Sequence, residues 1–163
     1  MSRLPSGGLI DRSQPLSFRF DGRTLRGFQG DTLASALLAN DVRLVARSFK
    51  YHRPRGILTA GSEEPNALMQ LGQGDQTTPN VRATTQELFD GLIAVSQNRY
   101  PSLRFDLLGI NDLLSPFFSA GFYYKTFMWP KSFWEKLYEP LIRRAAGLGM
   151  LSGKADTARY EKA

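Results

Sequence analysis

The chain contains no cysteine and a single histidine, His52, in 163 residues. The missing thiols exclude a disulfide scaffold, a thiolate nucleophile, a cysteine zinc site and an iron–sulfur cluster ligated by this chain. One imidazole excludes any site that needs two. No apolar run approaches the roughly 18 residues of a membrane-spanning helix. Arg3 is not followed by an apolar segment, so the first residues do not read as a signal peptide. The expectation is a soluble, cytoplasmic protein with no membrane partner. Nucleotide fingerprints are also missing. There is no Gly-x-Gly-x-x-Gly after a strand pattern and no phosphate loop ending in Gly-Lys-Ser/Thr. Gly147 and Gly149 lack both the third glycine and the preceding strand.

What is present is the composition of a folded domain, 42% hydrophobic and 22% charged, long enough to bury a core without staples. The net charge of +6 points to an acidic, anionic or phosphate-bearing partner surface. Basic residues concentrate at Arg43, Arg47, Lys50, His52, Arg53 and Arg55, with a smaller group at Arg143 and Arg144. Two readings of the larger group stand: a surface that meets phosphate, or a solvated interface rim. His52 is the only imidazole available to a Ser-His-Asp arrangement, and a surface or interface hydrogen bond is its plainer role. Glu63 and Glu64 are adjacent carboxylates, too few to specify a metal. No catalytic constellation and no metal site emerge from the residues.

Residues 1–14 are rich in Gly, Pro, Ser and Arg and read as an extended arm. Leu16–Phe20 alternates with period two, and Arg23–Phe28 follows across Asp21-Gly22, a strong hairpin signal. Phe18 and Leu25 then share the buried side. Asp31 or Thr32 caps a helix over 33–39, with Leu33, Ala36 and Leu37 on one face and Asn40 closing it in the left-handed conformation. A short strand at Val42–Val45 is expected next. Residues 47–83 are dominated by turn formers, with one short strand at Leu68–Leu71. Over 84–98 the spacing of Thr84 and Glu87 suggests a capping box, while Asp90-Gly91 between apolar residues suggests a hairpin. The hairpin is the favoured reading and a helix the alternative. Hairpin, helix and strand in that order suit a small sheet curled around one helix, although periodicity alone does not separate this from other α+β folds.

Beyond Asn98 aromatics become dense. In the run Phe122, Tyr123, Tyr124, Lys125, Thr126, Phe127, Met128, Trp129 both faces of a strand would be apolar, more than one small domain can cover. The run is therefore expected to bury itself partly against another domain or subunit. A plain core segment is the competing reading, and base stacking on single-stranded nucleic acid a remoter one. Ser132 and Glu135 repeat the capping-box spacing ahead of a helical stretch to about Ala146, kinked at Pro140.

Several stretches resemble the α (large) subunit of heterotetrameric sarcosine oxidases. They are Gly30–Asn40, Arg47–Gly56, Ala60–Ala67, Ser96–Arg99 and Ala120–Pro130, and the likeness runs from about Gly7 to Lys162. In wider relatives, such as hydrogen cyanide synthase and opine oxidase subunits, this region resembles a plant-type [2Fe–2S] ferredoxin with Cys-x4-Cys-x2-Cys and a later fourth Cys. Laid on this chain, those positions are Thr59, Glu64, Ala67 and Thr84, all unsuited to an iron–sulfur cluster. The resemblance implies an α+β, ferredoxin-like β-grasp domain at 15–98 that has lost its cluster. After it come an aromatic-rich, mostly helical or irregular extension and a linker at 99–163.

The resemblance also implies a function. The family demethylates sarcosine oxidatively to glycine, forms hydrogen peroxide and passes the one-carbon unit to tetrahydrofolate. Its holoenzyme carries FAD, FMN, NAD and zinc, none of them expected in this chain alone. The chain is then a structural and subunit-docking module, inactive alone. It would pack on the remainder of the α subunit and on the β, γ and δ subunits. Lys50, Tyr51, His52, Phe122, Tyr123, Tyr124, Phe127 and Trp129 are the expected interface. Arg53, Arg55 and Lys125 are candidates to approach a flavin phosphate. A free-standing basic protein that binds an anionic ligand or nucleic acid is the alternative.

Overall fold

A computed structural model describes residues 3–117 and 130–140 of the chain. Strand β1 (Asp11–Phe20) turns into β2 (Arg23–Gln29). Asp21 sits at φ 47° and Gly22 at φ 81°, so both central residues are left-handed, as a type I′ turn demands. Phe18 lies opposite Leu25, and both are buried. β1 starts earlier than the alternation indicates. Asp11 already faces Gln29, and the register breaks between Asp11 and Pro15. Pro15 has no N–H for the ladder, which hides the start of the strand from a period-two pattern.

Helix α1 (Leu33–Ala39) follows, and Thr32 rather than Asp31 caps it. Thr32 Oγ1 accepts from Ser35 N, and Ser35 Oγ accepts from Thr32 N, a capping box with serine in the third position. Asp31 turns inward and accepts from Phe28 N, Ser35 Oγ and Arg3 Nη2. Leu33, Ala36 and Leu37 are buried together, as their spacing predicts. Asn40 does not take the left-handed position. It sits at φ −94° with its amide donating to Arg26 O and Ala36 O, and Asp41 takes φ 58° instead.

The strand expected at Val42–Val45 does not form. Val42 and Leu44 pack against the core, and the ladder begins only at β3 (Ala46–Arg47), antiparallel to β4 (Pro54–Arg55). β5 (Leu68–Leu71) lies where expected. β6 (Thr78–Arg82) was not foreseen, because it contains Pro79. It is an edge strand, where a proline is tolerated. Over 84–98 neither the hairpin nor the helix forms. Gly91, at φ 78°, only bends the chain into β7 (Ile93–Ser96), while Asp90 accepts from Ser17 N across the sheet.

β7 is the centre of the fold. It runs parallel to β1 and antiparallel to β5, giving the order β2-β1-β7-β5-β6. Asp21, in the hairpin turn, fixes this pairing by accepting from Ser96 N, Ser96 Oγ and Arg99. Phe18, Phe20, Leu33, Leu37, Met69, Leu88 and Leu92 fill the space between sheet and helix. The architecture is α+β, a mixed sheet grasping one helix. Beyond it lie a short helix α2 (Ile110–Leu113), a 3-10 turn at Lys131–Phe133 and a π-helical turn at Trp134–Tyr138. Ser132 lies inside the 3-10 turn and does not cap it. Among the described residues no helix is long and apolar enough to cross a membrane. The course of the chain from 141 to Ala146 lies outside the described residues.

Candidate functional site

The irregular loop from Gly56 to Ala67, between β4 and β5, closes around a carboxylate. Glu64 is wholly buried. Its Oε2 accepts from Leu58 N at 2.8 Å, Thr59 N at 2.6 Å and Thr59 Oγ1 at 3.2 Å. Its Oε1 accepts from Asn66 N at 2.7 Å and Ala67 N at 3.2 Å. Four backbone N–H groups and a hydroxyl thus converge on one anion, and among the described residues no cation pairs with it. Burial pushes the Glu64 carboxyl up, but the N–H groups of Thr59, Asn66, Leu58 and Ala67 outweigh that and hold it below the ordinary glutamate value.

The loop is pinned from outside as well. Thr84 Oγ1 donates to Gly61 O at 2.7 Å, Arg82 Nε donates to Glu64 O at 3.0 Å, and Ala83 N donates to Ala67 O at 2.9 Å. Glu63 points the other way, exposed, and accepts from Gly61 N. The adjacent glutamates therefore share no site. Among the described residues no three His, Cys, Asp or Glu side chains converge on a metal position.

A second polar cluster sits where the basic loop meets the segment after β7. His52 is buried, at φ 54°, with Nδ1 2.7 Å from Asp106 Oδ2. Arg47 lies 3.5 Å from the same carboxylate, donates to His52 O at 2.8 Å and chelates Leu103 O. Asp106 Oδ1 accepts from Tyr100 N. This is a latch between two segments. It leaves His52 inside the protein rather than on the surface.

The remaining basic residues stay at the surface. Arg53 pairs with Asp112 at 2.6 Å and lies over the Tyr51 ring, as does Lys50. Arg55 donates to Asn66 Oδ1 at 2.9 Å. Arg55 thus adjoins the Glu64 loop, while Lys50, Tyr51 and Arg53 cluster in the segment that carries His52. Beside it, Phe105, Leu107, Leu108, Ile110, Leu113 and Leu114 are all exposed. Phe122, Tyr123, Tyr124, Lys125, Phe127 and Trp129 lie outside the described residues.

Residues 13–99 match the 2Fe-2S iron-sulfur cluster binding domain family. The chain belongs to that family. It is also homologous to sarcosine oxidase α subunits. It is 68% identical over 160 residues to the sarcosine oxidase subunit alpha of Rhizobium meliloti (strain 1021), covering 98% of this chain and 16% of that subunit. The corresponding subunit of Corynebacterium sp. (strain U-96) is 46% identical over 92 residues, 55% of this chain and 10% of that one. The chain therefore spans about one-sixth of the length of the Rhizobium subunit. A solved structure, the L-proline dehydrogenase from P. horikoshii, aligns with a TM-score of 0.44 and 25% identity over 56% of this chain and 17% of that one.

Membership of a cluster-binding family makes the chemistry of the loop decisive. Thr59, Glu64, Ala67 and Thr84, which the resemblance lays on the cluster-ligand positions, are brought together by the hydrogen bonds above, and they offer two hydroxyls, a carboxylate and a methyl. A [2Fe–2S] cluster of this family needs thiolates, and the chain has no cysteine. The residues present do not fit the cluster. The resemblance marked the positions but did not reveal that Glu64 gathers the loop's N–H groups. Asp106 was missed altogether, because its partner His52 is 54 residues away.

Proposed function

We propose that this chain is the N-terminal docking module of a heterotetrameric sarcosine oxidase α subunit. On this reading the assembled enzyme converts sarcosine to glycine oxidatively, with hydrogen peroxide formed and the one-carbon unit passed to tetrahydrofolate. FAD, FMN, NAD and zinc belong to the rest of the assembly. The chain contributes a surface and no chemistry of its own. The observation that carries the reading is 68% identity over 98% of the chain to a sarcosine oxidase subunit alpha.

Two features support a docking role. The exposed apolar residues between Phe105 and Leu114 form a stretch that water solvates poorly. The adjoining corner of Lys50, Arg53 and Arg55 supplies positive charge around it, suited to an acidic rim or to the phosphate of a flavin. Arg53, Arg55 and Lys125 remain the candidates for that phosphate contact.

The test is affinity purification of the chain from its native cells with the visible spectrum recorded. A yellow complex that bleaches when sarcosine is added is the expected result. A colourless species of 18.3 kDa purifying alone would sink the reading and leave a free-standing anion-binding protein in its place.

A further inference from the structure

The loop that the resemblance assigns to the cluster closes here on a carboxylate. A [2Fe–2S] cluster is anionic, and its sulfurs take hydrogen bonds that tune it. A loop folded around such a group must turn its N–H groups inward, and those groups are costly to leave unmet once water is excluded. Here Leu58, Thr59, Asn66 and Ala67 all point their N–H groups at the two oxygens of one side chain. That side chain grows from the position that the resemblance gives to the second ligand of Cys-x4-Cys-x2-Cys. The first position, Thr59, adds its hydroxyl to the same oxygen. The fourth, Thr84, ties the loop shut through Gly61 O.

We propose that Glu64 is a built-in anion that replaces the iron–sulfur cluster, so that the hollow beneath residues 58–67 is a carboxylate site filled from within. The loop then folds without metal, and its shape depends on a negative group at one point in space rather than on covalent ligation. A consequence is that the site is chemically separable from the chain. When the side chain is cut back, the hollow keeps its donors and accepts a small free carboxylate, formate first, since formate presents the same two oxygens. This inference does not rest on the docking reading, because an isolated chain shows it whether or not an oxidase assembles around it.

The experiment uses the full 163-residue chain with Glu64→Ala and Glu64→Gln variants, melted in sodium formate and in sodium chloride of equal concentration. Glu64→Ala is expected to melt at least about 10 °C below the parent, because several charge-assisted bonds are lost at once. Formate should restore several degrees of that loss by binding the folded form, while chloride does not and the parent is unmoved by either. Amide resonances of Leu58, Thr59, Asn66 and Ala67 should shift together in the variant and return with formate. If Glu64→Ala does not fold, the same four amides in Glu64→Gln decide. Displacement of those facing the new amide nitrogen supports the inference, and unchanged shifts overturn it. Glu64→Ala melting with the parent, or gaining no more from formate than from chloride, also overturns it.

Discussion

Glu64 keeps its charge away from water because N–H groups from both ends of its loop replace the lost hydration. That balance sets a pH dependence whose sign is fixed. The carboxyl ionises more readily in the folded chain than in the unfolded one. Its stabilisation is therefore complete above the unfolded value, about 4.3 for glutamate, and is lost as pH falls through the lower folded value. Glu64→Gln keeps the shape but presents an N–H to donors on one side. At pH 7 we expect the variant to be about 2–4 kcal/mol less stable than the parent, the worth of one or two bonds to a charged group plus the donors left unmet. The gap should narrow steadily below about pH 4 as the parent's own carboxyl protonates. Urea titrations of both proteins between pH 7 and pH 3 measure it, and a gap independent of pH would show that Glu64 is not ionised in the fold. Thr59 and Thr84 matter beside it as hydroxyls, one feeding the carboxylate and the other closing the loop.

Between elements, the Asp106 carboxylate decides how the basic loop meets the chain after β7. It has no exposed surface, and both His52 and Arg47 reach it, so neutralising it weakens the contact that both side chains make. Asp106→Asn should release residues 48–53 and 100–109 together while the five-stranded sheet stays intact. Hydrogen exchange with fragment mass analysis should show faster exchange in both segments and little change in β1, β5 and β7. Faster exchange in only one segment would mean that Asp106 does not couple them. Such couplings explain what the sequence disclosed and what it withheld. The β1–β2 hairpin was legible because alternation and the Asp21-Gly22 turn are local, and α1 because Leu33, Ala36 and Leu37 keep a local period. β7 was misread as half of a hairpin, since its partners β1 and β5 are distant in sequence and Asp90-Gly91 imitates a turn. β6 was hidden by Pro79, which only an edge strand tolerates. The site was half legible. The family resemblance marked Thr59, Glu64, Ala67 and Thr84, but the donors around Glu64 are backbone N–H groups, which every residue but proline carries and no pattern announces.

At the scale of the whole molecule, the described residues combine a well-filled core with an exposed apolar stretch at residues 105–114. Phe105, Ile110 and Leu113 are 65%, 57% and 81% exposed, so they contribute little to holding the domain together. Their cost appears in solution, where an apolar stretch beside a protein of net charge +6 favours contact with another surface. Ile110→Asp combined with Leu113→Asp places two charges there without entering the core cluster. Two predictions separate fold from docking. The double variant should melt within about 3 °C of the parent, because surface changes of this kind move stability by about 0.5 kcal/mol each. It should also remain monomeric in sedimentation at concentrations where the parent associates, and, if the proposed oxidase assembly holds, its recovery with the other subunits should fall at least about tenfold, equivalent to about 1.4 kcal/mol of lost binding. A variant that unfolds would place these residues in the core instead. A variant that folds and still co-purifies undiminished would move the docking surface away from residues 105–114 and onto the basic corner of Lys50, Arg53 and Arg55, where charge reversal is the corresponding test.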